Sequence, residues 1–305
     1  MQGINEEFWF ETAPDETADR SAAASFAAKL TQAQGLKTFP AVAQKILAVF
    51  ADDNFRISDA TKLIEEDPSM AAGVLRVANS AFFMPSRPIT EMKQAFVRVG
   101  VSQVREIVCA LATMEMFSDA SGLGLRVRDH SAAVAGLAQF LGRQFCGRPP
   151  DGIFLSGLLH DSGKLMLIDS HEIDYPKDGV MGYAPDVMHE FERKRLGYDH
   201  AVLAAHIVSS WHFGNTIARI IAWHHQQQRA FADDAFRVSV AVLRLADQLE
   251  YLLSLSADDF VRDVQLLMRG DEAQVLGISE SDLVSDWEQL QKVRDEALAT
   301  FTPRH

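Results

Sequence analysis

Apolar residues recur at three- and four-residue intervals through nearly the whole chain, and no window alternates cleanly between apolar and polar positions. That pattern predicts an all-α fold. Helix punctuation agrees with it. Ser58 is placed to cap DATKLIEED, and Asp67-Pro68 sets a capping side chain ahead of a proline suited to the first turn of PSMAAGVLRVANSAFF. Thr90 is expected to cap EMKQAFVRV, which Gly100 stops, and Ser102 to open QVREIVCALATMEMF. Asn79-Ser80 reads as a cap and packing pair rather than a site.

The pattern also divides the chain. SDASGLGLRVRD, residues 118 to 129, breaks the apolar periodicity with small residues and glycine and is the best interior boundary. DSHEIDYPKDGVMGYAP, 169 to 185, reads as a long loop, a feature that in compact domains often carries function. Past about residue 250 the charge rises, and ISESDLVSDWEQLQKVRDEALATF reads as one amphipathic closing helix, capped by Ser279 with Asp282 three residues on. The expected units are an acidic arm (1–20), an amino-terminal helical subdomain (21–118), a second helical subdomain (119–255) and a carboxy-terminal helical extension (256–305).

Composition narrows the function classes. With 305 residues, 48% hydrophobic and 23% charged, the chain can bury a sizeable core. A net charge of −13 argues against broad capture of nucleic acid or anionic membrane, and no helix has a clearly arginine-rich face, so no nucleic-acid partner is expected. Two cysteines, Cys109 and Cys146, point to a reducing compartment and to neither a disulfide framework nor a cysteine zinc site. No stretch approaches the roughly 20 continuous apolar residues of a membrane span, and the opening MQGINEEFWFETAPDE is acidic where a secretory signal is basic. A cytoplasmic protein is expected. The triplet Phe8-Trp9-Phe10 is either an arm packed on its own domain or a docking peptide.

The chemistry concentrates in GLLHDSGKLML, residues 157 to 167, which sets His160 and Asp161 side by side in an otherwise apolar run. Burying an ionised carboxylate costs several kcal/mol unless a partner or metal takes up the charge. On a 3.6-residue period His130 shares a stripe with Val134, Leu137 and Leu141, and His200 with Ala204, Ile207 and Trp211. His224 follows Ile217, Ile220 and Ile221, with His225 beside it, and Asp247 follows Phe236, Val240 and Leu243. Five helices thus present ionisable groups from their apolar sides. His and Asp on facing helices build internal metal sites suited to zinc, iron, manganese or nickel; the alternative is a metal-free polar core in which these groups satisfy each other.

The order His130, His160-Asp161, Asp247 resembles the ligand signature of the HD superfamily of metal-dependent phosphohydrolases, and H-D-S-G-K at 160 to 164 is similar to its extended motif. Over about residues 35 to 250 the chain resembles one branch, the HDOD (HD-related output domain) proteins. LKTFPAVAQKIL, LIEEDPSMAAGVLRVANSAFF and ITEMKQAFVRVGVSQVREIV carry the resemblance in the amino half. GLLHDSGKLML, ERKRLGYDHAVLAAHIVSSW and IARIIAWHH carry it in the second. The resemblance implies an HD-like helical bundle with an added amino-terminal helical subdomain. It implies His130, His160, Asp161 and Asp247 as ligands of one divalent transition metal, Asp161 bridging, and His200, His224 and His225 as ligands of a second. In a catalytically active relative Asp161 would belong to the catalytic machinery, and Lys164, otherwise an ordinary surface or helix-end lysine, would hold a phosphate oxygen.

Departures from related phosphodiesterases matter as well. The HD-GYP enzymes that cleave cyclic di-GMP follow their paired histidines with Glu and a glycine-tyrosine-proline loop. Here Gln226 stands in the Glu position, QQQRAFADDAF follows, and Arg126 stands one turn before His130 where some members place a further acidic ligand. Cyclic di-GMP hydrolysis is therefore not expected. HDOD proteins resemble output modules of bacterial signalling that act by protein contact, so the resemblance implies a regulatory module with a signalling protein partner. The alternative is a metal-dependent phosphohydrolase acting on a nucleotide or other phosphoester. Arg193, Lys194 and Arg195 are the nearest candidates for a basic mouth, although such a charge run is usually a solvated face.

Overall fold

The computed structural model describes residues 39–50, 55–83, 85–116, 122–169, 173, 175, 188–211, 213–254 and 256–301, and all regular structure among them is helical. The amino half is built from α1 (Ala41–Phe50), α2 (Ile57–Glu65), α3 (Pro68–Ala78), α4 (Met92–Arg98) and α5 (Val101–Met116). The second half contains α6 (Leu123–Phe145), α7 (Ile153–Leu159), α8 (Ser162–Asp169), α9 (Met188–Leu196), α10 (His200–Ser210), α11 (Asn215–Trp223), α12 (Gln227–Ala232) and α13 (Arg237–Leu252). The chain closes with α14 (Ala257–Leu267), α15 (Asp271–Leu276), α16 (Glu280–Ser285) and α17 (Trp287–Phe301). The acidic arm and its Phe8-Trp9-Phe10 triplet lie outside the described residues.

Two apolar clusters organise these helices. The larger runs from Phe39 to Phe301 and joins both halves, with Phe82 stacked on Phe154 at 5.7 Å between ring centroids. Each such buried aromatic contributes roughly 2–3 kcal/mol. The smaller cluster gathers Leu165, Met166 and Leu167 of α8 with Val202, Leu203 and Ile207 of α10. Most of the expected loop 169–185 lies outside the described residues, but its Ile173 and Tyr175 are buried in this cluster.

Long α6 is the axis of the second half, packing on α7, α8, α13 and α17. Close approach is bought with small residues: a Cβ at Gly157 of α7 would lie 2.8 Å from the Ala135 Cα of α6, and one at Gly136 would lie 2.9 Å from the Ala297 Cβ of α17. Gly152, at φ +78°, precedes the first turn of α7 and, being glycine, has no side chain to cap it. Glu106 from α5 supplies one instead, its carboxylate accepting from the Gly152 N–H at 3.1 Å and the Leu155 N–H at 3.4 Å.

Several local expectations hold and others are corrected. Asp67 caps α3, accepting from the N–H groups of Ser69 at 2.9 Å and Met70 at 3.0 Å, with Pro68 in the first turn. Asn79 clips Ile89, accepting its N–H and donating to its carbonyl, both at 2.7 Å. Ser58 does not cap: α2 starts at Ile57 after Arg56, since burial of Ala60 and Ile64 sets the register. Thr90 does not cap either; Glu91 holds that place without a side-chain bond, because α4 is fixed by burying Met92, Ala95 and Phe96. Gly100, at φ +102°, separates α4 from α5, and Ser102 falls inside α5 rather than opening it. Residues 123–129 of the expected boundary already belong to α6, tertiary packing of Gly124 and Val127 overriding the weak propensity of glycine. Ser279 and Asp282 form the capping box, but the closing segment is two helices, α16 ending at Ser285 and α17 beginning at Trp287 after the Asp286 cap.

Candidate metal centre

His160 and Asp161 do not lie within a helix. They occupy the junction where α7 ends at Leu159 and α8 begins at Ser162, whose hydroxyl donates to the Leu159 carbonyl at 2.8 Å. The junction is pressed against the start of α10: a Cβ at Gly163 would lie 2.1 Å from the His200 carbonyl oxygen, so only glycine fits there. Asp199 caps α10 by accepting from the Val202 N–H at 3.0 Å and is itself held by Arg193 at 2.7 Å. Arg193 is thereby committed to placing His200, while Lys194 and Arg195 are exposed.

The structure brings His130, His160, Asp161, His200, His224, His225 and Asp247 together. Candidate ligand atoms of His130, His160 and Asp247, of His160, Asp161 and His224, and of His200, His224 and His225 each fall within 4.8 Å of one another. Asp161 lies between the sets, with Oδ2 3.7 Å from His130 Nε2 and Oδ1 3.1 Å from His200 Nε2. Asp247 Oδ1 stands 3.0 Å from His130 Nε2 and 3.9 Å from His160 Nε2. Lys164 is buried, one turn on from Asp161, and its Nζ donates to Asp161 Oδ2 at 2.8 Å.

Histidine tautomers follow from what lies behind each ring. His160 Nδ1–H donates to the Gly157 carbonyl at 2.8 Å and His224 Nδ1–H to the Ile221 carbonyl at 2.6 Å. Those partners can only accept, so each Nε2 carries a lone pair directed inward, and both Nε2 atoms are buried with no hydrogen-bond partner. His130 Nδ1–H donates to Glu250 at 2.9 Å and His200 Nδ1–H to Glu192 at 2.6 Å. An acceptor behind Nδ1 with Nε2 facing a common centre is how metal-ligating histidines are held. Tyr175 donates to Glu192 at 2.6 Å and so steadies His200 indirectly.

Electrostatics divides the histidines into two classes. Burial, the dominant effect, pushes His160 below its ordinary value despite Asp161 and Asp247, and pushes His224 and His225 well below theirs. These three are neutral imidazoles, the form a metal takes. Burial opposes charge on His130 as well, but hydrogen bonds to Asp247 and Glu250 outweigh it and lift the ring to about 10. His200 is lifted against burial to about 9 by Glu192 and Asp161. Asp247 drops to about 2, its contact with His130 overcoming burial. The donor set of imidazole and carboxylate fits a divalent transition metal such as zinc, iron, manganese or nickel.

Sequence reasoning missed the outer groups. Glu192, Glu250, Tyr175 and His189 were not singled out, and His189 stacks on His225 with 4.3 Å between centroids and 13° between planes. Glu250 carried a readable signal, because it follows Asp247 by three residues and so shares its helix face. The other three depend on contacts between elements. Gln226 turns back on α11, its amide donating to the Ala222 carbonyl at 3.0 Å, and Arg126 is exposed.

The HDOD domain family model matches residues 36–227. Among solved structures, a candidate phosphohydrolase of Shewanella amazonensis superposes with a TM-score of 0.66 at 19% identity, covering 92% of this chain and 98% of that one. An HDOD domain protein of unknown function from Geobacter sulfurreducens gives 0.60 at 19% identity over 92% and 98%. A candidate signal transduction protein of Marinobacter aquaeolei gives 0.58 at 20% identity over 98% and 66%. No curated protein matches the chain. At these identities the structural likeness establishes the fold, while the family model spans well over half of the sequence. On that match and on the all-helical architecture it accompanies, the chain belongs to the HDOD family.

Proposed function

We propose that this protein is a regulatory module of cytoplasmic signalling that acts by contact with a protein partner, and that its His/Asp pocket holds one or two divalent transition metals. The observation carrying the metal reading is the pair of buried, unpartnered Nε2 atoms of His160 and His224, each ring locked from behind by a backbone carbonyl. A closed polar core pairs most of its buried nitrogens, and here two that face each other's site are left open. His130, His160, Asp161 and Asp247 would hold one ion and His200, His224 and His225 a second. No helix among the described residues is long and apolar enough to cross a membrane, and both cysteines are unpaired, in keeping with a reducing setting.

A second reading, hydrolysis of a nucleotide or other phosphoester, draws on Asp161 lying between the two donor sets. Bound metals there would supply Lewis acidity toward a phosphoryl group. Asp161 would hold the two halves of the site at one spacing, and Lys164 would keep that carboxylate ionised and turned inward. Elemental analysis of protein purified without added metal, beside His160→Ala, tests the first reading: equal metal in both sinks it. A phosphoester panel then separates the two readings. Turnover abolished by Asp161→Ala supports the hydrolase, and silence across the panel supports the contact module.

A further inference from the structure

Two ionic links run from the carboxy-terminal helices to the back of this pocket. In the first, Arg294 of α17 donates through Nε to Glu250 Oε1 at 3.1 Å, while Glu250 Oε2 accepts from His130 Nδ1 at 2.9 Å. Each carboxylate oxygen of Glu250 therefore has its own partner, and the guanidinium sets which edge of the carboxylate faces the ring. In the second, Arg244 of α13 donates to the main-chain carbonyl of His224 and pairs with Glu272 of α15, both side chains being buried. The seat of α17 on α6 is itself specified, since Gly136, on the same helix as His130, admits Ala297.

We propose that the carboxy-terminal helices are part of the metal centre, with Arg294 and Glu272 as positioning residues that act through Glu250 on His130 and through Arg244 on His224. The inference rests on the metal reading above. Removing the guanidinium leaves Glu250 anchored on one side only, so His130 loses its fixed orientation and the first metal loses affinity. Changes to outer-shell partners of this kind typically cost roughly ten- to a hundredfold in metal affinity. It follows that whatever lifts α17 from α6 also loosens the first metal.

The test uses the full chain and Zn²⁺ as the probe, with affinity measured by competition against a chromophoric chelator. Arg294→Met keeps the aliphatic stem but deletes the donor; Arg294→Lys restores a cation. The expected result is Zn²⁺ binding at least about tenfold weaker in Arg294→Met, partial recovery in Arg294→Lys, and a weakening in Glu272→Gln, all measured well below the melting temperature of each variant. Binding as tight as wild type in both Arg294→Met and Glu272→Gln overturns the proposal. A second readout needs no metal. The His130 Hδ1 proton, hydrogen-bonded to Glu250, is followed by NMR in metal-free protein; its loss or broadening in Arg294→Met supports the positioning role, and an unchanged signal refutes it. Wild type that binds no more Zn²⁺ than His160→Ala sinks the metal reading, and the NMR comparison then decides the positioning role separately.

Discussion

The α-carbon of Gly163 packs so tightly on the backbone of His200 that a methyl group there would sit 2.1 Å from the His200 carbonyl oxygen. The glycine of H-D-S-G-K is thus a packing requirement that docks the start of α8 on the start of α10 and fixes the Asp161 to His200 spacing. Backbone cannot yield as a side-chain tip can, so Gly163→Ala is expected to cost about 3 kcal/mol or more, at the upper end of overpacking changes. Urea unfolding measures it, and a loss under about 0.5 kcal/mol would contradict the account.

Asp67 and Ser58 are equally good caps by residue type, yet only Asp67 is placed to accept backbone protons. Asp67→Ala is expected to lose about 1 kcal/mol, whereas Ser58→Ala is expected to be neutral or to gain a few tenths, since it improves an exposed helix position. Equal losses in thermal or urea melts would show that the assigned helix start at Ile57 is wrong.

That contrast explains what could be read in advance. His130, His200 and Asp247 lie on inward stripes because burial imposes the helical period on the sequence itself, His160 and His224 follow directly on the buried ends of α7 and α11, and the structure gathers all five in one place. Helix starts such as those at Ser58 and Thr90 were misread because tertiary burial, with Ala60, Ile64, Met92 and Phe96 seeking the core, shifts the register past a favourable hydroxyl. Glu192, Tyr175, Arg244 and Arg294 were illegible for a different reason. Each is ordinary in its own segment and acquires meaning only from a partner eight to forty or more residues away, as with Arg294 and Glu250 at a separation of 44.

Glu106 gives the stability a pH dependence of known sign. Burial pushes its carboxyl up from 4.5 to about 7, against the opposing pull of the Leu155 and Gly152 N–H groups and Arg105. An acid with a higher pKa folded than unfolded holds its proton more tightly when folded, so its contribution favours the fold below 4.5 and declines as pH rises to 7. At roughly 1.4 kcal/mol per pH unit the total is about 3 kcal/mol. Relative to wild type, Glu106→Gln should therefore gain about that much in urea unfolding between pH 4.5 and pH 8. A wild-type minus variant difference that does not move with pH would rule this out.

His160→Leu separates stability from ligand binding. In metal-free protein the substitution removes a buried nitrogen that has no partner, along with one hydrogen bond to Gly157, and is expected to leave stability within about 1 kcal/mol of wild type or above it. Zn²⁺ at a hundredfold its Kd for the His130, His160, Asp161 and Asp247 set should then stabilise wild type by roughly 3 kcal/mol and the variant by clearly less, since only the His200, His224 and His225 set is left intact. Matching melting shifts in the two proteins would mean that the ion binds elsewhere.

The junction between α7 and α8 has a mechanical consequence. Leu158 and Leu159, just before His160, belong to the large apolar cluster; Leu165, Met166 and Leu167, just after Asp161, belong to the small one with Ile173 and Tyr175. The seam between the two cores runs through the His-Asp pair. A ligand gripped by that pair would act as a rivet across the seam, tying the smaller core to the larger one.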